Sequence, residues 1–146
     1  MEDNYTEAEF KTIASKEISV AYLSYLECDL IQVQFFDDIT IGIPEVKELA
    51  NATKELTGGI VPVLSLVITG QRNNISTEAF SYNIYTELNI TQRTIAEAVV
   101  IQNLPTRIIA NFYYKVVPRP FPVKVFESRE KAIAWLMASK AQEPSS

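Results

Sequence analysis

At 146 residues, 47% of them hydrophobic and 21% charged, the chain has the size and composition of one globular domain with a sizeable core. A formal net charge of -5 argues against nucleic acid as a partner, because phosphate binding needs a basic face. The chain has no histidine and a single cysteine, Cys28, which removes imidazole bases and metal ligands, Ser-His and Cys-His pairs, an intrachain disulfide and thiolate metal clusters.

The N-terminus, Met1-Glu2-Asp3-Asn4, is acidic and lacks the basic-then-apolar order of a signal peptide. No apolar run approaches the roughly 20 residues of a membrane-spanning helix. A single cytoplasmic domain over residues 1–146 is therefore expected, with no membrane insertion and no cofactor. Residues 1–16 read as a polar N-terminal segment with a short helix around Glu7–Ser15, and 142–146 as a loose tail.

Ile18 to Leu26 alternates and predicts a strand; Leu30 to Phe36 predicts another, with Ile31, Val33 and Phe35 inward and Gln32 and Gln34 outward. The short Glu27-Cys28-Asp29 connection makes the pair an antiparallel hairpin. Asp37-Asp38 ends it. Pro44 suits the first turn of a helix, along which Ile43, Val46, Leu49, Ala50, Thr53 and Leu56 form an inward stripe before Gly58-Gly59 stops it. Ile60 to Ile68 is apolar on both faces, as a central strand would be, with Pro62 near its start. After the polar loop Thr69–Asn74, Ser76 or Asn74 caps a helix expected to reach about Leu88. Thr94 to Ile101 reads as a buried strand. Pro105 opens a third helix with Ile108, Ile109, Phe112 and Val116 predicted inward, and the prolines of Pro118–Pro122 force an extended connection. Val123–Phe126 predicts a last strand, and Ser128 or Glu127 opens a final helix with Ala132, Ile133, Leu136 and Trp135 toward the body.

The expected fold class is α/β: one mixed sheet, an N-terminal antiparallel hairpin followed by alternating strands and helices, covered by helices. This order resembles the STAS domain of sulfate transporters and anti-sigma factor antagonists over roughly Ile18 to Ala141, and uncharacterised bacterial STAS-like domains within that class. Glu55-Leu56-Thr57-Gly58-Gly59, Ile108-Ile109-Ala110-Asn111-Phe112 and Phe121-Pro122-Val123-Lys124-Val125-Phe126 before Lys131–Leu136 carry the local likeness. The resemblance implies a regulatory serine at the start of the helix after the central strand, where this chain has Ser76 and Thr77. The aspartate before that serine and the glycine after it are both missing. A phosphate there would meet free N–H groups and add about two negative charges to a docking surface; alternatively Ser76 simply caps the helix.

Other candidates have plainer explanations. Asp37-Asp38 and the Glu27/Asp29 pair read as turn residues rather than metal ligands or acid–base pairs. Cys28, beside two acids, reads as unreactive, and Ser65 as a hydroxyl bonded to the backbone. Among the aromatics, Phe112, Phe126 and Trp135 read as core, whereas Tyr113, Tyr114 and Phe121 form a candidate interaction surface. The expected function is a non-catalytic regulatory or protein-interaction module with an unidentified protein partner or a second copy of itself. The alternative is a binder of a small apolar ligand or lipid in a pocket like that of the CRAL-TRIO class.

Overall fold

The computed structural model describes residues 10–82 and 92–143. Among the described residues, eight strands and four helices follow in the order β1 (Thr12–Glu17), β2 (Ala21–Leu26), β3 (Leu30–Phe35), β4 (Thr40–Ile41), α1 (Ile43–Thr57), β5 (Val63–Ile68), β6 (Asn74–Ile75), α2 (Thr77–Ser81), β7 (Thr94–Val100), α3 (Leu104–Val116), β8 (Val123–Phe126) and α4 (Arg129–Ala141). The main sheet runs β1-β2-β3-β5-β7-β8. Its first three strands are antiparallel, and β3, β5, β7 and β8 are parallel, as expected where helices connect the strands. The mixed α/β sheet expected from the sequence is thus present.

Helix α4 covers one face of the sheet. Ala132, Ile133 and Leu136 pack there on Leu26, Leu30, Leu64, Leu66, Ala96, Ala98 and Val100, while Phe126 and Trp135 close the margin with ring centroids 5.7 Å apart. The opposite face takes α1, whose Val46, Leu49 and Ala52 meet Ala21, Leu23, Val33, Phe35 and Val67. Two covered faces explain why β5 and, apart from Glu97, β7 read as largely apolar runs. Glycine ends α1: Gly58 has φ 84° and its N–H donates to the Lys54 carbonyl.

Several expectations are corrected. The segment Phe10–Glu17 is not helical; β-branched Thr12 and Ile13 lead an edge strand on β2, and the start of the expected helix, 7–9, lies outside the described residues. Ile18-Ser19-Val20 forms the turn into β2, closed by Ile18 N–H to the Ala21 carbonyl (2.9 Å). Ile60 and Val61 are exposed, since the strand begins only after Pro62. Gln32 is buried rather than outward: α4 lies over it, and Arg129 Nε donates to its Oε1 at 2.9 Å. Helix α2 stops at Ser81, where Tyr82 is extended (φ -67°, ψ 127°); the remainder of the expected helix, 83–88, lies outside the described residues.

The largest correction concerns α3. Leu104, Ile108, Phe112 and Val116 are 57%, 61%, 62% and 60% exposed, and Ile109 and Tyr113 face outward with them. The helix is turned by what anchors its other side. Arg107 Nη1 donates to the carbonyls of Ile101 and Gln102, both at 2.8 Å, and Tyr114 packs on Phe80 of α2 at 5.1 Å. No residue of α3 is fully buried.

Candidate functional site

The loops after β3 and β5 are bound into one rigid corner. Gln71 N–H donates to Asp37 Oδ1, Asp38 N–H to the Gln71 carbonyl and Asn73 Nδ2 to the Phe36 carbonyl, each at 2.8 Å, and Arg72 forks onto the Asp38 carboxylate. That guanidinium holds the Asp38 carboxyl below its ordinary range. Gly70 is required by close approach: a Cβ there would stand 2.7 Å from the Phe36 carbonyl oxygen. Asp37 and Asp38 are therefore turn-binding residues, and no cluster among the described residues could hold a metal ion.

The corner fixes where α2 begins. β6 pairs with β4, and Ser76 N–H donates to the Ile41 carbonyl at 3.0 Å. Ser76 Oγ then accepts from Ala79 N–H at 3.0 Å, so Ser76 is the helix cap. Ser76 is half-buried and Thr77 exposed.

One turn further on, Phe80 reaches α3. Its ring lies 5.4 Å from Tyr113 and 5.1 Å from Tyr114, and the Arg119 guanidinium stacks 4.5 Å over Phe80 and 5.6 Å from Tyr114. Behind this aromatic group stands Glu97 of β7, beside Ser65 of β5. Ser65 Oγ donates to Glu97 Oε1 at 2.9 Å, not to the backbone as expected. Burial pushes the Glu97 carboxyl above its ordinary value, offset in part by the Ser65 hydrogen bond and by the positive charge of Arg119. Burial and the Glu97 charge likewise push the Tyr114 phenol up. Carboxyl, hydroxyl, phenol and guanidinium thus meet on the α1 side of the sheet, beneath α3.

Of the residues singled out from the sequence, Ser76, Tyr113 and Tyr114 are linked through Phe80. Thr77 faces solvent, Phe121 is half-buried in the proline-rich connection, and Phe112 is outward rather than core. Sequence reasoning missed Glu97 and Arg119. The available signal was one acid inside the otherwise apolar Ile95–Ile101 run.

Together, a mixed sheet opening in an antiparallel ladder, its parallel strands joined by helices, and a capped helix after the central strand define a mixed α/β domain. The chain belongs to the family described as Domain of unknown function (DUF7793), whose model matches residues 24–140. Among solved structures it is similar to an uncharacterized protein from the DUF3478 family with a SpoIIAA-like fold, from Shewanella loihica PV-4. Identity is 15% and the TM-score 0.49, over 93% of this chain and 98% of that one. No curated protein matches. Among the described residues, no helix is long and apolar enough to cross a membrane.

Proposed function

We propose that this domain is a non-catalytic, STAS-like interaction module that docks a protein partner through α3. The observation that supports the reading is the helix's apolar side, which faces outward beside the Phe80–Tyr113–Tyr114 group. Contiguous apolar surface of this kind marks a docking face more than scattered exposed residues do. Ser76 and Thr77 lie one turn from Phe80, so a negative charge added there would act on the same surface.

A photo-crosslinking residue placed at Ile108, in cells that make the protein, tests the reading. A discrete protein adduct is expected at Ile108 and none at Ile60, which is exposed elsewhere. No adduct at Ile108, or equal labelling at both, would refute it. Ser76→Asp should reduce the adduct if a charge switch operates; an unchanged adduct removes the switch and leaves the docking.

A second reading rests on the cluster of Glu97, Ser65, Tyr114 and Arg119, which offers a polar anchor beneath aromatic walls to a small, largely apolar ligand. Native mass spectrometry of protein from its own host tests it. Excess mass released on unfolding, and lost in Glu97→Gln, is expected; a bare chain mass rejects it.

A further inference from the structure

Where β5, β7 and β8 lie side by side, the two faces of the sheet differ. On the α4 side Leu64, Leu66, Ala96 and Ala98 are completely buried. On the opposite side the strand registers set two rows of three, Ser65, Glu97 and Val123 in one and Val67, Val99 and Val125 in the next. All of these except Val99 keep accessible surface. Helix α1 lies over β1 and β2 and α3 over β8, so this floor runs between the two helices, with the stacked rings of Phe80 and Tyr114 as its wall.

This floor carries a split pair of charges. Ser65 Oγ holds Glu97 Oε1 at 2.9 Å, and among the described residues Glu97 Oε2 has no hydrogen-bond partner. Arg119 lies close enough for its charge to act on Glu97, yet the two form no ion pair. Stacking holds the guanidinium instead, 4.5 Å from the Phe80 ring centre and 5.6 Å from that of Tyr114. The other arginines all spend their N–H groups: Arg72 on Asp38, Arg93 on Glu143, Arg107 on two carbonyls and Arg129 on Gln32. Among the described residues, Arg119 has neither a hydrogen bond nor an ion pair, and the Tyr114 hydroxyl beside it has no hydrogen bond.

Two opposite charges left apart in a recess select a ligand that answers both, because each is costly to desolvate alone. An amine drawn to Glu97 is repelled by Arg119, and a carboxylate drawn to Arg119 is repelled by Glu97. A molecule with an ammonium and a carboxylate side by side is attracted at both ends, and a guanidinium can fork onto the carboxylate. The rest of the recess, Val67, Val123 and the rings of Phe80 and Tyr114, offers no third charge, so the body of the ligand is apolar. We propose that this recess binds a free α-amino acid with an apolar side chain, its ammonium on Glu97 and its carboxylate on Arg119. The inference rests on the ligand-binding reading above and adds the chemical class of the ligand.

Isothermal titration calorimetry on the full chain tests it with L-phenylalanine and L-leucine as probes. At least one of them should bind. 2-Phenylethylamine and 3-phenylpropanoate, which keep the apolar body of phenylalanine and one charge each, should bind at least tenfold more weakly, and L-glutamate and L-lysine should not bind. Glu97→Gln and Arg119→Gln should each weaken amino-acid binding at least tenfold, the first without weakening 3-phenylpropanoate further and the second without weakening 2-phenylethylamine further. Unchanged far-ultraviolet circular dichroism checks that both variants fold, and the comparison of probes on the wild-type chain stands without them. No binding of either amino acid, or single-charge analogues that bind as tightly, would overturn the proposal. A native mass excess that belongs to a molecule lacking either charged group would overturn the amino-acid assignment alone and leave the ligand reading standing, whereas a bare chain mass together with no binding of any probe would remove both.

Discussion

Phe112→Ala separates the two orientations of α3. Burying a phenylalanine side chain completely contributes about 3 kcal/mol, and with 62% of Phe112 exposed only about 1 kcal/mol of that is present in a single chain. Alanine's better helix propensity returns about 0.5 kcal/mol, leaving a net cost of about 0.5 kcal/mol. Were Phe112 turned into the core, as its spacing suggests, the same change would cost about 3–5 kcal/mol. Leu136→Ala supplies the scale: Leu136 is 0% exposed between α4 and the sheet, and its truncation should cost about 2–5 kcal/mol. Urea unfolding followed by circular dichroism measures both. The measurement is made at the lowest practical protein concentration, because self-association raises apparent stability by mass action. A penalty equal to that of Leu136→Ala at the lowest concentration would refute the outward orientation.

Glu97→Gln keeps an acceptor for Ser65 and removes a charge whose burial is unfavourable. Since the folded carboxyl holds its proton more tightly than the unfolded one, wild-type folding loses stability as pH rises from the ordinary glutamate value through the raised one, and the loss then levels off. The variant's advantage in thermal midpoint should therefore appear as pH rises through that window; an equal offset at all pH values would count against a buried carboxyl. Gly70→Ala puts a Cβ 2.7 Å from the Phe36 oxygen and 2.8 Å from Asp37 Oδ1, and should cost about 1–3 kcal/mol in urea unfolding while shifting backbone resonances of Asp38–Ile41. Ser76→Ala removes the cap on Ala79 N–H and should cost about 1 kcal/mol, with faster hydrogen exchange at that amide; Ser76→Asp, able to accept the same bond, should restore its protection.

What could be read in advance was what the chain encodes locally. Pro44 and Gly58 bracket α1, Ser76 and Ser128 cap later helices, Pro105 marks the first turn of α3, and the apolar run of β5 announces a strand covered on both sides. What escaped depends on partners distant in sequence. β1 is held as an edge strand by backbone pairing to β2, which leaves little trace in its side chains. Gln32 resembles a solvent-facing strand residue until Arg129, 97 positions later, comes to lie over it. Periodicity located the stripe of α3 but could not orient it. Its direction is set by Arg107 gripping two carbonyls and by Tyr114 meeting Phe80, neither of which hydrophobic spacing records. Glu97 was visible as an acid in an apolar strand, yet only Ser65 on the neighbouring strand and Arg119 beyond α3 make it a cluster.

Those two features meet at one helix, α3. The inner side of α3 is fastened by hydrogen bonds, stacked rings and the field between Arg119 and Glu97, while its apolar residues contribute little to the core of a single chain. Helices in globular proteins owe most of their stability to burying an amphipathic face, and α3 forgoes that gain unless something covers it. A helix held this way belongs to the low-stability end of a fold, from which moving and binding elements are drawn. The contrast with α4 makes the point on the same sheet: α4 buries Ala132, Ile133 and Leu136 completely, and Leu64, Leu66, Ala96 and Ala98 beneath it are completely buried too. Covering α3 from outside would supply the burial that α4 already has. The apolar side proposed to dock and the Tyr114 side that meets the polar cluster are therefore opposite sides of α3, and occupation of the apolar side should be felt at Glu97 through Tyr114 and Arg119.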